Sequence, residues 1–298
     1  MTDEQKQGRV RAALVTVQML FGINYLVSKQ VVGVLDPAAW ATLRATSALV
    51  ILGAAALLLR RRFPRGRDVW YLAGCAMLGV TLNQILFLEG LSRTTPAHAS
   101  LICAQIPLFT LAAAVAMRRE PLTGAKVAAL VSGMIGVMVL LEVDRFSLES
   151  EYLVGDLLVL TNAVCFGLFV ALSGRVMARH DPLGAVTVVF LFGSAGIALY
   201  GADELLATAF GTLSSGDFGR MAYVVVGATV GTYFLNLFAL KHTQASRVAL
   251  YIFLQPVVAT TLSVAILGEA LTWRLLVAGA LVLVSLSLRE RSRRVRPA

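Results

Sequence analysis

Long uninterrupted apolar runs dominate this chain, and they leave few folds open to it. A helix needs roughly 20 apolar residues to cross about 30 Å of hydrocarbon. Runs of this kind recur from residue 11 to residue 288. Lipid offers the backbone no hydrogen-bond partner, so the runs must be helices rather than open strands. Only 14% of the 298 residues are charged, against about 25% in a soluble domain. We therefore expect an all-α integral membrane protein whose first partner is the lipid bilayer.

Turn and breaker signals divide the runs into ten spans: 11–33, 37–59, 69–89, 96–117, 125–142, 153–177, 183–202, 220–240, 245–268 and 272–288. The breakers include Asp36-Pro37, the cluster Arg60 to Arg67, Thr95-Pro96, Asp181-Pro182 and Ser214-Ser215-Gly216. Basic residues then orient the spans. Twenty of the 26 Lys and Arg residues fall in the termini and alternate loops, five fall on the opposite side, and Arg44 lies within a span. Positive loops stay inside, so the expectation is a multi-pass protein of the cell membrane with both termini cytoplasmic. The net charge of +9 belongs to those loops. No basic stripe interleaved with exposed aromatics points to nucleic acid.

The chain also repeats itself. Residues 91–129 meet 240–278 at a shift of 149, with ten of 39 pairs identical, among them Pro107 with Pro256 and Glu120 with Glu269. At a shift of 145, Phe21-Gly22 and Asp36-Pro37 meet Phe166-Gly167 and Asp181-Pro182. Two units follow, 1–142 and 143–298, the second ending in a basic cytoplasmic tail. Each unit holds five spans. Five is odd, so the second copy enters the membrane from the opposite side, as in transporters built from inverted repeats.

Polar residues inside spans are the candidate site. Arg44 sits deep in the second span, with Trp40 and Ser47 on its face. A charge at mid-membrane costs roughly 2.5–3.5 kcal/mol on insertion scales, so it should meet a wet cavity or a partner. The cavity reading has Arg44 bind an anionic group of a small-molecule substrate. Asn24, Asn83, Gln84, Gln105, Tyr233, Asn236, Tyr251 and Gln255 could line the same space or act as glue between helices. Pro107 and Pro256 should kink their helices and free carbonyls. Glu120 and Glu269 precede helices and read as structural caps. No acidic residue lies at the middle of any span.

An enzyme finds little support. His98, His180 and His242 lack metal-ligand spacing, and no metal or other cofactor is called for. No phosphate loop or nucleophile elbow is present. Cys75, Cys103 and Cys165 lie in apolar runs and read as buried thiols.

Several segments carry a resemblance: Phe21-Gly22-Ile23-Asn24-Tyr25, Arg44, Asn83-Gln84 through Gly90-Leu91, and Thr94-Thr95-Pro96-Ala97 on to Pro107 and Glu120. In the second half they are Thr243 to Ser246, Gln255-Pro256 and Gly268-Glu269-Ala270-Leu271-Thr272. With them the chain resembles the EamA-type transporters of the drug/metabolite transporter superfamily, with two EamA repeats. The resemblance implies a ten-helix basket with a central cavity lined by the first four helices of each half, and a monomer is compatible with it. It also implies a secondary transporter exporting small amphipathic metabolites such as amino acids. Alternatives are a broad drug exporter and a non-transporting receptor or scaffold. Val189 stands opposite Arg44 at the 145 shift, so the cavity should be electrostatically lopsided.

Overall fold

The computed structural model describes residues 3–118, 123–140, 152–177, 179–232, 234, 235, 251, 254–281 and 284. Among them the chain is helical with no strand. Among the described residues six helices are long and apolar enough to cross a membrane. They are α1 (Asp3–Val31), α2 (Pro37–Leu58), α3 (Arg67–Arg93), α4 (Pro96–Ala116), α6 (Leu153–Met177) and α7 (Pro182–Ala207). Four further segments fall where the sequence places the remaining spans: α5 (Gly124–Leu140), α8 (Ser215–Ala222, continuing as Tyr223–Gly231), α9 (Leu254–Leu267) and α10, residues 273–281. The outward faces are apolar, as lipid requires: Leu58, Trp70, Leu199 and Leu206 are exposed.

The helix starts follow from local chemistry. Asp36 and Asp181 cap α2 and α7 in the same way, each side chain accepting from two backbone amides ahead of a proline in the first turn. Thr95 caps α4 by accepting from the His98 amide. Ser214 and Asp217 form a reciprocal capping box at α8. The Ser214 hydroxyl and amide, and then Arg220, hold the Asp217 carboxyl below its usual range.

Proline breaks α4 as its position demands. The helix pauses at Ala104 and Gln105, and Pro107 sits in the first turn of the renewed segment Ile106–Ala116. The end of α9 is set by Gly268, whose φ of 70° is left-handed and open to glycine without strain.

Packing ties the two sequence units together. α2 and α7 run antiparallel: Ala38 lies at Gly201, the Ala45 carbonyl accepts from Ser194 Oγ at 3.1 Å, and the Leu52 carbonyl accepts from Thr187 Oγ1 at 3.5 Å. These contacts advance by seven residues, two turns, in opposite directions along the two helices. The contact is close because Gly201 has no Cβ; one placed there would meet the Ala38 carbonyl oxygen at 2.4 Å. α3 and α6 are likewise antiparallel, from Gly90 beside Gly155 to Tyr71, whose Oη donates to the Leu172 carbonyl at 3.1 Å. α1 lies along α9, with Gly22 against Val258.

Among the described residues three stretches relax from α to π hydrogen bonding: Met77–Thr81 in α3, Tyr223–Gly231 in α8 and Ser263–Leu267 in α9. The first two occupy nearly matching places in the repeat, about 145 residues apart. Wide turns of this kind collect at functional sites in helices.

Candidate functional site

Arg44 is buried, only 9% exposed, on the face of α2 that meets α8. Its Nε and Nη2 both donate to Thr229 Oγ1 at 3.4 Å, long for hydrogen bonds. Thr229 belongs to the π-helical part of α8 and spends its own hydroxyl proton on the Val224 carbonyl five residues back, at 2.9 Å. Among the described residues no carboxylate lies within ion-pair distance of Arg44. A guanidinium has five N–H donors, so most of this buried cation's capacity is unspent.

Of the four buried side-chain polar atoms that lack a partner among the described residues, two lie on α2 and α3. They are Trp40 Nε1, one turn before Arg44 on α2, and Gln84 Oε1, on the neighbouring α3. A buried group left unpaired costs about 1–3 kcal/mol. One spare cation, one spare donor and one spare acceptor are what a small polar ligand could use. Ser47, placed on the Arg44 face by spacing, is only half-buried.

A second polar group lies between α1 and α9. Gln255 Nε2 donates to Gln18 Oε1 at 2.6 Å, and Tyr25 Oη donates to Gln255 Oε1 at 3.4 Å. Asn24 accepts from Ser28 Oγ at 3.1 Å one turn along. Tyr25 also packs edge-on against Phe87 of α3, with ring centroids 5.8 Å apart. Sequence reasoning selected Gln255 and Asn24 here and missed Gln18, which is 2% exposed. Its signal was available: an amide in the apolar first span, two helical turns before Tyr25 and so on the Tyr25 face.

The other selected residues divide. The Asn83 carbonyl accepts from Asn162 Nδ2 of α6 at 2.6 Å, a contact between helices. Gln105 is buried, but its Nε2 lies next to Gly136 of α5, where Ala278 and Leu281 of α10 also pack. It therefore belongs to a different interface from Arg44. Tyr251 packs on Val10 and Leu14 of α1. Pro256 is buried in α9. Glu269 does not cap α10; the side-chain acceptor there is Thr272, whose Oγ1 takes the Leu275 amide at 3.3 Å. Tyr233, Asn236 and Glu120 lie outside the described residues. The three cysteines are free and buried. Among the described residues no group of His, Cys, Asp and Glu could hold a metal ion.

Comparison with known proteins gives this arrangement a context. The sequence pattern of the EamA-like transporter family matches residues 12–142 and again residues 153–289. An uncharacterized transporter of Bacillus subtilis is 25% identical over 252 residues, covering 82% of each chain. An uncharacterized transporter of Archaeoglobus fulgidus is 24% identical and covers 92% of this chain and 95% of its own. A WAT1-related chloroplast protein of Arabidopsis thaliana is 23% identical over 92% of this chain and 68% of its own. A solved crystal structure superposes with a TM-score of 0.63 at 21% identity, covering 97% of this chain and 99% of that one; it shares the fold.

Proposed function

Because this chain belongs to the EamA-like transporter family, we propose that it is a secondary transporter exporting small amphipathic metabolites that carry a carboxylate, amino acids first among them. The observation that carries the reading is Arg44: a buried guanidinium held by one long-range hydroxyl and no acid among the described residues. A carboxylate fits its planar paired donors. A cationic drug would meet an uncompensated positive charge, which disfavours the broad drug exporter.

The mechanism proposed is alternating access of two inverted halves, 1–142 and 143–298. The antiparallel contact of α2 with α7 supports it, since inverted repeats require equivalent spans to run in opposite directions. The matched π-helical stretches of α3 and α8 support it as well. The charge bias supports a cell-membrane protein with cytoplasmic termini. Arg44, Trp40 and Gln84 would hold the polar end of the substrate. Asn24 and Gln255, with Gln18 behind it, would meet it from α1 and α9.

The test is substrate affinity and thermal stability measured on the same purified protein. Losing one partner of a hydrogen-bonded buried charge pair costs about 2–5 kcal/mol. Arg44→Ala should therefore weaken amino-acid binding at least about tenfold. Arg44→Lys should also weaken it, because one ammonium cannot replace a planar fork. A folded Arg44→Ala protein with unchanged affinity would end this reading.

A further inference from the structure

One end of the bundle holds a buried ionisable cluster that the proposed substrate site does not use. Asp156 lies in the first turn of α6 and is 2% exposed. Its Oδ1 accepts a short hydrogen bond from Thr94 Oγ1 at the end of α3. Its Oδ2 lies 2.8 Å from His98 Nδ1 in the first turn of α4. The imidazole packs edge-on against Tyr152, centroids 5.7 Å apart. Lys29, at the end of α1, donates to the carbonyls of Leu91, Ser92 and Thr94 at 2.8–3.0 Å and so closes the C-terminal end of α3.

Glu269, between α9 and α10, completes the cluster. Burial raises its carboxyl above the usual range, opposed by the neighbouring Thr95 and Ser263 hydroxyls and by the charges of His98 and Lys29. Its Oε1 is buried without a hydrogen bond among the described residues. Arg93 stands nearby but is exposed and paired to Glu89 at 3.0 Å.

These groups come from both matched regions of the chain. Lys29, Thr94 and His98 belong to 12–142, and Asp156 and Glu269 to 153–289. The approach is tight because two glycines face each other: a Cβ on Gly155 would meet the Arg93 carbonyl carbon at 2.6 Å, and one on Gly90 would meet the Gly155 carbonyl oxygen at 2.8 Å. This end of the bundle is therefore closed, and its seam is a carboxylate facing an imidazole.

We propose that Asp156 and His98, with Glu269 beside them, form a proton-sensitive latch that closes this end of the transporter; the proposal rests on the alternating-access reading. Histidine is the side chain that changes charge between about pH 5 and 8. Protonated, His98 meets Asp156 as an ion pair; neutral, it offers a hydrogen bond alone. Opening removes Asp156 from both His98 and Thr94. Glu269 points the same way, since a carboxyl held high by burial takes up a proton more readily when the end is closed. The charged imidazole holds Asp156 more strongly than the neutral one, so acid favours closure and rising pH releases it.

Nitroxide labels on Val34→Cys and Val154→Cys, both exposed at this end, would report the opening by their distance distribution in lipid nanodiscs. The native thiols are buried. The wide-distance population should grow as pH rises from about 5.5 to 8, the interval in which histidine loses its charge. Asp156→Asn should raise it about tenfold at acid pH, the factor one charge-assisted hydrogen bond commands. His98→Asn places an amide donor where Nδ1 stood and should flatten the pH response while the protein stays folded. A wild-type distribution indifferent to pH, or an Asp156→Asn protein as closed as wild type, overturns the latch. Two populations that exchange with added amino acid but ignore pH and both substitutions sink the latch alone. One fixed distance under every condition sinks the alternating-access reading beneath it.

Discussion

Gly155→Ala tests whether the two halves touch backbone to backbone where α3 ends and α6 begins. The added Cβ would lie 2.6 Å from the Arg93 carbonyl carbon, 2.7 Å from its oxygen and 2.8 Å from the Gly90 oxygen. Ordinary carbon contacts are about 3.5–4.0 Å, so the substitution is roughly 1 Å short of room. All three neighbours are backbone atoms and cannot rotate aside. The helices must part, and overpacking of this kind costs about 1–3 kcal/mol. The control is Gly174→Ala on the same helix, where a Cβ meets nothing within 4 Å. Alanine there gains up to about 1 kcal/mol of helix propensity. Thermal unfolding of both proteins in one detergent reads the difference. Gly155→Ala should melt clearly below wild type and Gly174→Ala at or above it. Equal melting of the two variants would refute the contact.

Further outcomes follow from the same geometry. Gln18→Ala strands the Gln255 amide and should cost about 1–3 kcal/mol; the Gln18→Ala/Gln255→Ala double variant should cost less than the two singles added, and strict additivity in thermal unfolding would deny the pair. Asp36→Ala removes the α2 cap and should cost about 1 kcal/mol, whereas an unchanged melting temperature would contradict its bonds to Ala38 and Ala39. Impermeant thiol reagent added outside intact cells should label Leu148→Cys and spare Pro64→Cys; the reverse pattern would overturn the charge-based orientation.

The sequence was most informative where one physical constraint acts alone. Apolar runs forced helices because lipid leaves the backbone no other partner. Asp36-Pro37 and Asp181-Pro182 marked two helix starts because capping is local chemistry, and the structure shows both caps at work. Arg44 stood out because a charge in an apolar run needs a reason, and it is buried with one weak partner. Contacts between distant segments were hidden. Gln18 and Gln255 are 237 residues apart, and Asp156 and His98 are 58 apart. Their pairing depends on register between helices, which spacing within one helix does not encode. The π-helical stretches were equally silent, since a shifted hydrogen-bond register follows from packing and not from residue type. Gln105 was a candidate for the same space as Gln255, yet the break before Pro107 turns its amide toward α5. Glu269 lost its role as a cap to Thr272, three residues nearer the helix, and lies in the ionisable cluster instead.

The central claim is that a buried Arg44 selects a carboxylate for transport. Flux in proteoliposomes, comparing each of a panel of amino acids with its own carboxamide, tests it most directly, because the two differ at the one group Arg44 is held to read. Wild-type protein should move the acids and discriminate against the amides at least about tenfold, the loss expected for an unmatched buried charge, and Arg44→Ala should erase the preference. Equal flux of acid and amide, or movement of cationic dyes with no movement of any acid, would contradict the account.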